Sequence, residues 1–76
     1  MEELTFGQLL VGLNFNPSND PKVQKAKELC AELADLLNND KKEKESSLLS
    51  DMLFNQAIGE ILNAQMNVVK VLTLKY

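Results

Sequence analysis

Residues 54–72 read Phe54-Asn55-Gln56-Ala57-Ile58-Gly59-Glu60-Ile61-Leu62-Asn63-Ala64-Gln65-Met66-Asn67-Val68-Val69-Lys70-Val71-Leu72, and this stretch decides the fold. Phe54, Ala57, Ile61, Ala64, Val68 and Val71 recur at alternating spacings of three and four, which is the period of one helix face. Ile58, Leu62, Val69 and Leu72 form a second stripe beside the first, and Met52, Leu53, Met66 and Leu74 add further apolar surface. Ser46 or Ser47 can cap the start, so the pattern predicts a helix over about 47–74. At roughly 1.5 Å per residue such a helix is about 40 Å long.

Its partner is read in residues 21–38. Val23, Ala26, Cys30, Leu33 and Leu37 give a 3-4-3-4 seam suited to an antiparallel neighbour, widened by Leu29 and Leu36. Lys22, Lys25, Lys27, Glu28, Glu32 and Asp35 fall on the polar face. This helix is only about 27 Å long, so it cannot cover both stripes of the longer one. The surplus apolar surface predicts self-association, with a closed homo-oligomer as the default, and Asn55, Asn63, Gln65 and Asn67 as register-fixing residues between copies. The connection over 39–46 is rich in both charge signs and reads as a solvated turn.

Upstream, Thr5 and Gln8 make a capping-box pattern, and Phe6, Leu9, Leu10 and Leu13 recur at helical spacing. Gly7 and Gly12 weaken that segment, so a short helix over about 5–13 must be held by packing across the hairpin. Between the short and long helices lies a polar loop over 14–20, with Asn14, Asn16, Ser18, Asn19 and Asp20 as turn formers. Asp20 followed by Pro21 is a natural N-cap and first helical position. Phe15 sits inside this loop, as a staple packed on the hairpin or as a ligand platform; on chain pattern alone the staple is favoured. The fold class is therefore all-α: one domain over 1–76, with a short N-terminal helix on a two-helix antiparallel hairpin, assembling as a helical homo-oligomer.

Composition narrows the chemistry. There are 76 residues, a net charge of −3, no histidine and one cysteine. All eight basic residues are lysine, which disfavours a duplex-DNA binder. A chain this short gains little from a single core, and one cysteine forms no intrachain disulfide. No metal site or cofactor is expected. No apolar run approaches the roughly 18–20 residues that span a bilayer, and Met1-Glu2-Glu3 does not resemble a signal peptide, so no membrane and a cytoplasmic setting are expected. Cys30 lies in the predicted seam with no histidine to activate it, and no carboxylate neighbours a nucleophile in an apolar setting, so no enzyme is expected. The local hint of function is Lys22, Lys25 and Lys27 in the first turns after Pro21. They run against the helix dipole but suit an anion at a helix start, although solvated surface lysines are equally ordinary. At the other end Lys70 and Thr73 place a cation and a hydroxyl, for which capping is the alternative role.

Two stretches resemble a known family. Leu4-Thr5-Phe6-Gly7, then Val11-Gly12-Leu13-Asn14-Phe15-Asn16-Pro17-Ser18 with Lys22-Val23, and the tail Ala64-Gln65-Met66-Asn67-Val68-Val69-Lys70-Val71-Leu72-Thr73, are similar to the helical-hairpin domain of phage anti-CBASS and anti-Thoeris sponges. The resemblance implies a compact homohexamer in the host cytoplasm during phage infection. Such an assembly sequesters cyclic dinucleotides such as cyclic GMP–AMP, or cyclic trinucleotides, without cleaving them, and so silences host immune signalling. It further implies base stacking on an aromatic near the N-terminus and a lysine early in the long helix. These roles fall on Phe15 and Lys25 or Lys22, with Phe6 as second choice of aromatic. Asn14, Asn16 and Ser18 then line the pocket, and Lys70 and Thr73 line another nearer a symmetry axis. The alternative function is a small helical oligomerisation module that binds a protein partner through its spare apolar face.

Overall fold

A computed structural model of the chain describes residues 3–74. Met1, Glu2, Lys75 and Tyr76 lie outside the described residues. Three helices follow in order, α1 (Phe6–Val11), α2 (Pro21–Glu43) and α3 (Leu48–Thr73), and there is no strand among the described residues. The chain is all-α.

Each helix starts where its cap chemistry dictates. The Thr5 hydroxyl accepts from Gln8 N–H at 3.1 Å, and the Gln8 side chain accepts from Thr5 N–H at 2.9 Å, closing the box. Asp20 caps α2 by accepting from Lys22 N–H at 2.8 Å, with Pro21 in the first helical position. Ser47 caps α3 by accepting from Ser50 N–H at 3.1 Å. At the other end of α1, Gly12 takes a left-handed conformation, φ 63°, that ends the helix at Val11, short of the expected Leu13. The predicted end of α2 at residue 38 is also corrected. The helix continues to Glu43, because Lys41 and Lys42 suit a C-terminal turn and Lys44 pairs with Asp40 at 2.7 Å one turn back. The connection shrinks to 44–47.

The seam of α2 is rotated from its predicted position. Val23, Lys27, Ala31 and Ala34 are its buried residues, whereas Leu33 is 49% exposed and Cys30 is only half-buried. The reason is that α2 is covered by α1 as well as α3. A stripe squeezed between two neighbours takes small side chains, and Ala31 and Ala34 let the backbones close in. Gly7 of α1 meets Ala31 so closely that a Cβ there would lie 2.0 Å from the Ala31 carbonyl oxygen. Asp35, one turn further, accepts from Gly7 N–H at 2.6 Å and ties the start of α1 to α2. Phe6 meets Phe54 of α3 with ring centroids 6.3 Å apart. On α3 the residues buried are Ile61 and Gln65, so Gln65, expected as a polar contact between copies, is buried within its own chain.

The molecule measures 46 × 33 × 13 Å. The short α1 touches both α2 and α3, so the three helices pack against one another around a small core of Val11, Val23, Ala31, Ala34 and Ile61. So small a core leaves large apolar side chains at the surface: Leu48, Leu49, Met52 and Leu53 at the start of α3, Met66, Val71 and Leu74 towards its end, and Leu29 and Leu36 on α2. No helix is long and apolar enough to cross a membrane among the described residues.

Candidate functional site

The loop after α1 is a hydrogen-bonded unit. Phe15 N–H donates to the Gly12 carbonyl at 2.8 Å, and Asn19 N–H donates to the Asn16 carbonyl at 3.1 Å. Asn16 Nδ2 donates to the Asp20 carbonyl at 3.2 Å and to Gln24 Oε1 at 3.4 Å. The Ser18 hydroxyl donates to Asn16 Oδ1 at 2.8 Å and accepts from Asp20 N–H at 3.2 Å. Asn16 and Ser18, both expected to line a pocket, thus spend these polar groups on holding the loop. Asn19 pays for the turn with a φ of 54°, which asparagine tolerates better than most residues.

The fixing point of the loop is Lys27. Its side chain, placed on the polar face by the sequence pattern, is 5% exposed. The ammonium donates to the Gly12 carbonyl at 3.1 Å and also to the Phe15 carbonyl, and it lies 5.5 Å from the centroid of the Phe15 ring. An ammonium has three donors, and two are committed to the loop backbone. Phe15 itself does not serve as a staple: its ring is 70% exposed, carried over Lys27. The structure therefore separates the three early lysines. Lys27 is internal, while Lys22 and Lys25 are exposed and form no ion pair among the described residues.

Beside the loop opens a groove of about 620 Å³, lined by Asn14, Asn16 and Asp20 from the loop side and by Gln24, Lys25 and Glu28 from α2. Two carboxylates against one lysine leave its own charge unfavourable to an anion. Of the residues singled out from the sequence, Asn14, Asn16 and Lys25 meet here; Phe15 and Lys22 stand beside the groove without lining it. Phe6 is turned to Phe54. Lys70 is exposed on α3, and the Thr73 hydroxyl donates to its own helix, to the Val69 carbonyl at 2.8 Å; neither lines the groove. Gln24, Lys27 and Asp35 were missed as structural anchors. The Lys27 signal was its spacing, four residues after Val23 and four before Ala31 in the buried stripe.

Burial pushes the Cys30 thiol above its ordinary value, which disfavours the thiolate. No cluster of three metal-ligating side chains occurs among the described residues. Compared with protein-family models, curated proteins and solved structures, the chain matches none.

Proposed function

We propose that this chain is a non-enzymatic sponge for cyclic oligonucleotide messengers, cyclic dinucleotides such as cyclic GMP–AMP or cyclic trinucleotides, acting as a homo-oligomer in the cytoplasm of the infected host. The observation that carries the reading is Phe15. Phe15 is 70% exposed, and the loop that carries it is fixed by a buried ammonium. A rigid exposed aromatic is what a base needs for stacking, worth about 1–3 kcal/mol per base in single-stranded nucleic-acid binders. Lys22 and Lys25 project from the start of α2 close by in sequence and can reach phosphates, while Asn14 offers an amide. The resemblance in residues 4–18, 22–23 and 64–73 points the same way.

The groove's two carboxylates require cations from elsewhere, and another copy is the natural source. The many large apolar side chains left at the surface support such an assembly. Six copies is the number the resemblance suggests. Lys70 and Thr73 remain the residues proposed for a second kind of pocket near a symmetry axis. One observation favours the other reading, an oligomerisation module for a protein partner: the run Leu48, Leu49, Met52 and Leu53 is exposed on one helix end, far along the chain from the loop.

Calorimetric titration with cyclic GMP–AMP, followed by recovery of the ligand after denaturation, separates the two. Tight binding with the ligand returned intact supports the sponge. No heat with cyclic GMP–AMP, a panel of other cyclic di- and trinucleotides, or cyclic ADP-ribose isomers refutes it and leaves the protein-partner module. Lys25→Glu should weaken binding at least tenfold while leaving the oligomer's mass unchanged in light scattering; unchanged affinity removes Lys25 from the site.

A further inference from the structure

Gly59 lies in the middle of α3, and a Cβ built on it would meet nothing within 4 Å. Glycine inside a helix is destabilising relative to alanine, and no close neighbour in its own chain requires this one. What it leaves is room for another backbone to approach. The residues around it are placed symmetrically. Asn55 and Asn63 stand four positions to either side, Met52 and Met66 seven, and Leu48 and Lys70 eleven. All of them, with Gly59, are exposed. At 3.6 residues per turn they fall within about 40° of the direction of Gly59, so they form one stripe about 33 Å long.

A twofold contact between identical helices sets residue i against residue j and j against i. Antiparallel helices crossing at Gly59 meet that condition with like facing like. Each Met52 lies against the second copy's Met66, and each Asn55 against the second copy's Asn63, where the two amides can exchange hydrogen bonds. Leu48 is covered by the stem of the second copy's Lys70, whose ammonium reaches solvent. Charge decides the direction. Lys70 is the one charged residue of the stripe, and a parallel pair would set it against its own counterpart. The antiparallel pair holds the two ammonium groups about 33 Å apart, well beyond a Debye length of roughly 8–10 Å. We propose that this face of α3 is an isologous interface with a second copy of the chain, antiparallel and centred on Gly59. The proposal deepens the self-association in the proposed function and rests on that part of it, not on the nucleotide.

Crosslinking of the full chain without nucleotide tests it, in a Cys30→Ala background. Gly59→Cys should give a disulfide-linked dimer on mild oxidation, because the two positions face each other across the twofold axis. Met52→Cys should not link to itself, since its two copies stand about 21 Å apart, whereas Met52→Cys and Met66→Cys chains refolded together should link. Gly59→Glu fills only open space in its own chain, so it should remain helical by circular dichroism and halve the assembly's mass in light scattering. The interface is overturned if folded Gly59→Glu keeps the wild-type mass, or if Met52→Cys links to itself as readily as Gly59→Cys. An assembled wild-type chain whose Gly59→Cys variant forms no disulfide overturns the interface and leaves self-association standing. A monomeric wild-type chain overturns both.

Discussion

Replacing Lys27 with methionine tests whether the buried ammonium clamps the loop. The stem is kept and the donors are lost. Hydrogen bonds to a charged group contribute about 1.5–3 kcal/mol each, which for two carbonyls sets an upper bound near 6 kcal/mol. Three effects lower it. The Gly12 carbonyl keeps the Phe15 N–H as a partner at 2.8 Å, so it is not orphaned. Methionine recovers the cost of desolvating an ammonium that is only 5% exposed. The cation–π contact is with a ring 70% exposed, where such contacts contribute only about 0.5–1 kcal/mol. The expected net loss is about 1–2 kcal/mol, a five- to thirtyfold drop in the folding equilibrium constant. Urea unfolding reads that number. Hydrogen exchange reads its location, because the Phe15 and Leu13 amides, bonded to the Gly12 and Gln8 carbonyls, should lose protection before those of α3. An unchanged unfolding midpoint together with unchanged protection of the Phe15 amide would refute the clamp, and with it the claim that Phe15 is held in place.

Further outcomes follow from the packing and from the thiol. Gly7→Ala places a methyl 2.0 Å from the Ala31 carbonyl oxygen, backbone against backbone, so about 3 kcal/mol or more should be lost in urea unfolding; a stability equal to wild type would mean α1 does not dock at Ala31. Cys30 should react with a thiol reagent more slowly than free cysteine at pH 8, since burial holds its thiol protonated; a rate equal to free cysteine would contradict that burial. The same upward shift gives a linkage of defined sign. The folded chain holds this proton more tightly than the unfolded one, so the contribution is full below the unfolded thiol value of about 8.5 and is lost as pH rises beyond it. Stability measured between pH 7 and 10 should therefore fall at the alkaline end, and less so in Cys30→Ala.

The helices were legible because their signals are local. Period, Thr5 with Gln8, Asp20 with Pro21, and Ser47 are written within a few residues of where they act. What escaped depends on partners distant in sequence. Apolar spacing marks the greasy side of α2, but the buried stripe is set by two neighbours closing on Ala31 and Ala34. That displaces Leu33 to the surface and draws Lys27 inward. A lysine can occupy such a stripe because its long stem reaches backbone carbonyls, and those became available only when Gly12 turned the chain. Asp35 is the same case, its acceptor satisfied by an amide 28 residues earlier. The candidate site inherits this division. Phe15, Asn14 and the early lysines could be picked out from residue type, whereas the fixing of Phe15 rests on the one lysine whose surroundings no local pattern reveals. A loop clamped from below can hold an aromatic outward without a core around it.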